Sequence, residues 1–501
     1  MENKYIIGTR GSLLAVTQCT LIKKEMEKKS GAKFKLNKIK TQGDQITDKP
    51  LWQLEGKDFF TKELDEALVA KDIDLVVHSY KDLGTVRPDN ITLGCVTERK
   101  YAHDILLIKE EKIKELSTKE NFIVGTSSPR RIFNLQNNLS RYLPNSLIKV
   151  QCKTLRGNVN TRIEKLKDDQ YDAIVLAFAG LERLANYPKS KEVLEDLLKG
   201  LTFMVLPQKD FPSSASQGAL AIEYNSTRTD DLKSILEKVH HKETAEEIKR
   251  ERKAFAHYGG GCHLPIGIHV KSVQDFFIHL HHGESDGQRF KLQTLEGFDY
   301  EKAKLSGKKA YFVFSRYDFL IKKDNIVCLP EPGSNIFATS SLCTHNIKAP
   351  KTLWAAGNRT MKNLIQNGFW VNGSSEGFGH NEVENFKNSK LVKIFTEESP
   401  WVVLSHDKAT SKVGENIPSY THELKSSVEK KYKDEMMASD IIFWSSIIQY
   451  DLYTNQYPEL IEKVHACGLG KTFVAFKERK IPTIPCIDMN HLENLIRTEN
   501  E

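Results

Sequence analysis

The chain has 501 residues, 39% hydrophobic and 28% charged, with a formal net charge of +7. That composition belongs to a protein with packed cores and excludes collagen-like, disordered and small disulfide-framed classes. At roughly 100–200 residues per domain, the length asks for about three or four domains.

The longest purely apolar run, Ala173 to Ala179, is seven residues, against the roughly 20 that a membrane-spanning helix needs. The opening MENKYIIGTRGS carries no apolar stretch of the kind a secretory signal requires. Eight cysteines are scattered without a C-x-x-C pair, so no metal site is expected and a reducing, cytoplasmic compartment is. The arginines fall in short motifs rather than a long basic stripe. This favours a discrete anionic small molecule over a nucleic acid or a membrane surface.

In chain order, residues 1–225 alternate strand and helix patterns, the mark of a doubly wound α/β sheet. KYIIGTR reads as a strand, followed by a helix from about Leu13 with Ala15, Cys19, Ile22 and Met26 on one face. IDLVVHS, NFIVGTS and YDAIVLAFAG read as buried strands. Gly84, Pro88 and Pro207 mark turns and crossings between lobes. From about Thr227 a charged helix, GGGC and short alternating strands predict a smaller α+β domain ending near residue 300. Residues 307–501 restart the α/β alternation with a weak internal duplication. IFATSSLCTHN then LWAAGNRTMKNLIQNGF is echoed by IIFWSSIIQYD then HACGLGKTFVAFKERKIP, which predicts two similar lobes.

Three turns share a design: GTRGS (Gly8 to Ser12), GTSSPRR (Gly125 to Arg131) and LRGNVNTR (Leu155 to Arg162) each bring arginine to a strand–helix junction. Ser128 can cap its helix and Pro129 suits the first helical position. Free N–H groups at a helix start favour an anion, and arginine adds a planar fork for a carboxylate. The plain alternative for each is a helix cap with surface salt bridges; three together favour a ligand with several carboxylates. HSYKD (His78 to Asp82) offers Lys81 to a carboxylate and Asp82 to an N–H or a cation, or else is a solvated loop. Cys262 in HYGGGCHLPIG sits where glycines allow close backbone approach. It is a nucleophile candidate if a basic cleft lowers its pKa and a small core residue otherwise. GLGKT (Gly468 to Thr472) is no phosphate loop, because the pattern needs glycine where His465 stands.

Together these motifs resemble hydroxymethylbilane synthase, the porphobilinogen deaminase family. GTRGS, GKDFFTKELDEAL, HSYKD, GTSSPRR, LRGNVNTRIEKLKDDQYDAIVLAFAGLERL, SQGALAIE and GGGCHLPIG stand in family order over about residues 4–300. The resemblance implies an enzyme that joins four porphobilinogen molecules head to tail, releasing ammonia, on a dipyrromethane cofactor made from the substrate. It implies two lobes like type II periplasmic binding proteins and a third small domain. By the same match Cys262 carries the cofactor as a thioether, and Asp82 stabilises pyrrole N–H groups and the cationic azafulvene-like species. Lys81, Ser79, Arg130, Arg131, Ser128 and Thr126 would hold the cofactor. Arg10, Arg156, Arg162 and Lys57, the last on a segment resembling the family's mobile loop, would bind substrate. Two departures stand out. The HSxKDxPT pattern here carries Gly84, and ERxxPRD reads ERKYAHD, with Ala102 and His103 in place of Pro-Arg.

The C-terminal half resembles uroporphyrinogen-III synthase through its ATSS and WSS strand ends, the GNRT turn (Gly357 to Thr360) and the SSEG segment. That resemblance implies ring closure of the linear product between two lobes, with Thr339, Ser340, Thr360, Tyr420, Ser445, Ser446 and Thr472 as cleft candidates. As isolated hydroxyls these are also ordinary cap and turn residues.

The expectation is therefore an α/β fusion enzyme with four parts. Lobe 1 takes 1–104 and 207–226, lobe 2 takes 105–206, the cysteine-bearing α+β domain 227–305, and the two-lobed module 306–501. Porphobilinogen and its tetrapyrrole products are the expected partners. A monomer is the expected form, though the sequence does not fix the oligomeric state. The alternatives are a C-terminal half that is a non-catalytic docking domain, or an anion-binding protein with no chemistry at all.

Overall fold

A computed structural model describes residues 4–41, 61–84, 86–228, 230–261, 263–313, 319–322, 329–424 and 430–497. Strand Lys4–Thr9 forms because its side chains alternate into a core around Tyr5 and Ile7. Ser12 then caps helix Leu13–Ser30 by accepting from the Ala15 N–H at 3.3 Å. Thr17, Gln18, Cys19, Ile22 and Met26 are the buried residues of this helix, with Ala15 half-buried. Gly31, at φ 77, ends the helix with its N–H on the Glu27 carbonyl.

The first sheet runs Lys33–Lys38, Lys4–Thr9, Leu75–Ser79, Leu220–Asn225, Ile91–Val96. Its second strand is parallel to both neighbours, whereas Leu220–Asn225 is antiparallel to both of its own. The second sheet repeats this plan with Lys149–Lys153, Asn121–Gly125, Ala173–Ala177, Asp104–Lys109 and Leu201–Val205. Here Asp104–Lys109 is the antiparallel strand. The chain crosses between the sheets at 97–103 and 206–219, and each antiparallel strand begins directly after a crossing. The two lobes are thus linked by two short connections.

The run Ala173 to Ala179 divides where a single buried strand was expected. Strand register ends at Asp104↔Ala177. Beyond that register the chain turns into helix Phe178–Ala185, whose Phe178 N–H donates to the His103 carbonyl at 3.0 Å.

Helix Lys242–His257 packs on a three-stranded antiparallel sheet, Gly267–Val273, Phe276–Ser285 and Gln288–Glu296. Glu251 on this helix is fully buried and accepts from Arg99 at 2.6 Å, Ser216 N–H at 2.7 Å and Val270 N–H at 2.8 Å. One carboxylate thereby fixes the small domain to both crossings.

Beyond residue 306 there is a six-stranded sheet, Phe319–Lys322, Glu415–Leu424, Trp401–His406, Asn335–Ala338, Thr352–Ala355, Gly373–Ser374. A four-stranded parallel sheet follows, Ala310–Phe312, Ile441–Trp444, Val464–Gly468, Thr483–Cys486. The six-stranded lobe shares apolar cores with the second sheet. Phe203 lies 4.7 Å from Phe395 and 5.9 Å from Trp354, ring to ring, and the Val205 N–H donates to the Asn372 carbonyl at 2.7 Å. Among the described residues no helix is long and apolar enough to cross a membrane.

Candidate active site

The carboxyl ends of the strands in both five-stranded sheets open onto a cleft of about 1040 Å³, the place where open α/β sheets take ligands. Arg10 comes from the turn that starts helix Leu13–Ser30. Ser79, Lys81 and Asp82 come from the end of Leu75–Ser79 and the 3-10 turn after it. Arg156 and Arg162 flank Gly157, whose φ of 110 requires glycine. Asn158 caps helix Val159–Lys167 by accepting from Thr161 N–H at 3.0 Å, and Arg162 Nε donates to the Gly157 carbonyl at 2.8 Å. Arg131 reaches the cleft from helix Pro129–Asn138.

The adjacent Arg130 does not line this cleft. It is buried, donating to the Pro212 carbonyl at 2.9 Å and pairing with Asp104 at 2.8 Å. Thr126 and Ser128 are likewise absent from the lining. Thr126 Oγ1 accepts from the Ser128 N–H at 3.3 Å. Ser128 stands at the helix N-cap as expected, but its side chain makes no cap bond. Successive helical residues point about 100° apart, and the buried carboxylate of Asp104 takes Arg130 inward while Arg131 spans Asp104 and the cleft. Lys57 and Cys262 lie outside the described residues. The turn leading to Cys262 has three consecutive left-handed residues, Gly259, Gly260 and Gly261, at φ 98, 56 and 146.

The cations crowd one another. Burial, with Arg131 and Arg156 nearby, brings the Arg162 guanidinium down to about 10 against the opposing pull of Asp82. Burial lowers the Lys81 ammonium to about 8, with Arg131 and Arg130 adding to the effect and Asp82 and Asp104 opposing it. Burial alone would raise the Asp104 carboxyl, yet Arg130 and Arg131 hold it well below the usual carboxylate range. Such a cleft gains from any ligand that brings negative charge.

Sequence reasoning missed three residues here. Gln217 bridges the lobes: its Oε1 accepts from Lys81 Nζ at 3.2 Å, and its Nε2 donates to the Ala102 carbonyl at 2.7 Å and Asp104 at 2.9 Å. Asp104 orients both arginines. Arg183 lines the cleft and donates to the Gly218 carbonyl at 2.6 Å. Gln217 and Arg183 lie inside the quoted SQGAL and GLERL motifs, and Asp104 closes ERKYAHD, but nothing local marks them as pointing at the cleft.

Asp65, His78 and Glu223 bring ligand-type atoms within 4.8 Å of one another. Arg87 pairs with two of the three, Asp65 at 2.6 Å and Glu223 at 2.8 Å. The cluster is an ion-pair network, and burial with Arg87 and Arg10 pushes the His78 imidazole down to about 3.

In the C-terminal half the candidates gather at the carboxyl ends of two sheets. Thr339 donates to Ser405 Oγ at 2.8 Å, beside the buried Tyr420, whose hydroxyl is pushed up by burial. Ser340 caps the turn Ser341–Asn346, and Thr360 lies in the first turn of helix Asn358–Gln366. On the other sheet Ser445 donates to the Val313 carbonyl at 2.8 Å, Thr472 Oγ1 reaches the Ser445 carbonyl at 3.5 Å, and Ser446 forms a capping box with Gln449.

Two lobes on two crossings enclose a cationic cleft in which, among the described residues, Asp82 is the one carboxylate of the lining, the architecture of a two-lobed protein suited to an anionic ligand. Residues 5–233 match the family model "Porphobilinogen deaminase, dipyromethane cofactor binding domain". The porphobilinogen deaminase of Oceanobacillus iheyensis is 38% identical over 299 residues, covering 59% of this chain and 89% of that protein. That of Geobacter metallireducens is 38% identical over 295 residues, covering 58% and 85%. The chain belongs to the porphobilinogen deaminase family. A uroporphyrinogen-III synthetase structure from Helicobacter pylori is matched over 38% of this chain and 97% of that one, at 13% identity. Its TM-score of 0.26 carries no argument about the C-terminal half.

The cleft fits the family's dipyrromethane cofactor. Its carboxylates require several fixed cations, and its pyrrole N–H groups require an acceptor. Arg131 and Lys81, with Arg156 and Arg162 beside them, would supply the first and Asp82 the second. The buried Arg131 Nε has no hydrogen-bond partner among the described residues, so the protein alone does not satisfy this guanidinium.

Proposed function

We propose that residues 4–305 join four porphobilinogen molecules head to tail, with loss of ammonia, and that residues 306–501 close the linear product as a uroporphyrinogen-III synthase. In this reading 1–104 with 207–226 and 105–206 are the two cleft lobes, 227–305 carries Cys262, and the enzyme works in the cytoplasm.

The observation that carries the reading is Asp82, the single carboxylate that lines the cleft among the described residues, set among Lys81, Arg131, Arg156 and Arg162. The bound cofactor, held through Cys262, supplies the pyrrole carbon to which the first substrate is joined. Arg10, Arg156 and Arg162 bind the acetate and propionate groups of the substrate, two carboxylates per ring, while Arg131 and Lys81 hold those of the cofactor. Asp82 accepts the substrate pyrrole N–H and stabilises the positive charge that develops as the amine leaves, a preorganised electrostatic contribution. Lys57 is assigned to substrate binding with Arg10.

A second reading for residues 306–501, a docking domain without cyclising activity, is favoured by the self-satisfied hydroxyls of Thr339, Ser445 and Ser446. Supplying porphobilinogen to the purified chain and separating the uroporphyrinogen isomers decides. Predominantly isomer III supports the synthase, and predominantly isomer I leaves docking.

A further inference from the structure

The departure at Ala102-His103 coincides with an unusual contact. Glu376, in the SSEG segment of the C-terminal module, is 6% exposed and sits in left-handed backbone at φ 52, a conformation non-glycine residues hold only where the surroundings enforce it. Its Oε1 lies 3.3 Å from His103 Nε2 on the first crossing and accepts from the Gln208 N–H at 2.9 Å on the second. Its Oε2 accepts from the Lys209 N–H at 3.0 Å. One carboxylate from 167 to 273 residues away therefore joins the two connections between the deaminase lobes.

The surroundings reinforce this. Tyr101 donates to the Asn385 carbonyl at 2.7 Å and stacks on Phe386, and Lys362 pairs with Asp210 at 2.8 Å. The two neighbours of His103, through the Ala102 carbonyl and the Asp104 carboxylate, both bind Gln217, which lines the cleft and in turn holds Lys81. Asp104 also orients Arg131.

We propose that Glu376 is a positioning residue for the deaminase: through it the C-terminal module clamps both crossings and sets how the two lobes face each other across the cleft. His103 is then the clamp's counterpart on the first crossing and turns away from substrate. The crossings are the elements whose backbone would absorb any change in lobe angle, so tying them together restricts that change. The clamp does not require the module to catalyse anything, and only the kinetic arm of its test rests on the deaminase reading.

The test uses the full chain with Glu376→Ala and Glu376→Gln, the latter keeping one acceptor oxygen. Hydrogen–deuterium exchange without substrate reads peptides spanning 100–104 and 206–211, with 173–177 and 335–338 as core controls. Loss of a charge-assisted contact should raise exchange in the crossings about tenfold for Ala and less for Gln, with the controls unchanged. The KM for porphobilinogen should rise by about the same factor, while kcat changes less. Unchanged crossing exchange in either variant, or exchange rising equally in the controls, overturns the clamp. If the Ala variant fails to fold, the Gln variant decides by the same comparison. Altered exchange with unaltered KM keeps the contact but overturns its role in positioning the cleft.

Discussion

Replacing Asp104 by Asn probes the arrangement that aims Arg131 at the cleft. Asp104 is 1% exposed, and its two oxygens pair with Arg130 and Arg131 at 2.8 Å each and accept from Gln217 at 2.9 Å. The amide removes the charge and sets an NH2 donor against a guanidinium donor. Breaking a buried pair from one side costs about 3–5 kcal/mol. The lower end applies here, because Arg130 and Arg131 keep the carbonyls of Pro212 and Val175. At urea slopes of about 2–3 kcal/mol/M, a loss of about 3 kcal/mol moves the midpoint down by roughly 1 M.

Far-UV circular dichroism and tryptophan fluorescence should both record that shift. Trp354, Trp370, Trp401 and Trp444 lie in the C-terminal half, and Trp354 belongs to the core shared with lobe 2. The sign with pH is fixed. A carboxyl depressed in the folded state stabilises above its unfolded pKa of about 3.9 and loses that contribution as pH falls toward the folded value. The gap between wild type and variant should therefore narrow below about pH 4. A midpoint within about 0.3 M of wild type at pH 7 would refute the assignment of Asp104 as the organising charge.

Three further outcomes are expected. Lys81 is held to about 8 by burial, so its ammonium, and with it kcat/KM for porphobilinogen, should decline as pH rises through that value; Lys81→Arg should remove this alkaline limb, and an unaltered profile would contradict the role. Over the same range wild-type stability should rise slightly toward pH 10, since the unfolded chain binds the extra proton. Asp82→Ala should lower kcat by about 10²–10³-fold while leaving the dichroism spectrum intact, because the side chain is exposed; retained turnover would remove Asp82 from the chemistry. Phe203→Ala should cost about 3–5 kcal/mol and loosen the C-terminal module as well as lobe 2, which limited proteolysis of both halves would show.

The strands and the arginine-bearing turns were legible because their signals are local: apolar runs, caps and a glycine at φ 110. Arg130 and Arg131 could not be told apart, since the carboxylate that separates them arrives from another strand. His103 was visible as a departure, but its partner Glu376 lies 273 residues on. Gln217 needed the two crossings to be brought side by side. The division of Ala173 to Ala179 into strand and helix followed from where its partner strand begins, which no pattern within the run discloses.

The central claim is a deaminase whose primer is attached to Cys262, and intact-mass analysis of the purified chain tests it most directly. The protein should be heavier than the bare 57.1 kDa polypeptide by one dipyrromethane, and Cys262→Ser should have the unmodified mass and no activity. A fully active protein at the bare polypeptide mass would contradict the account.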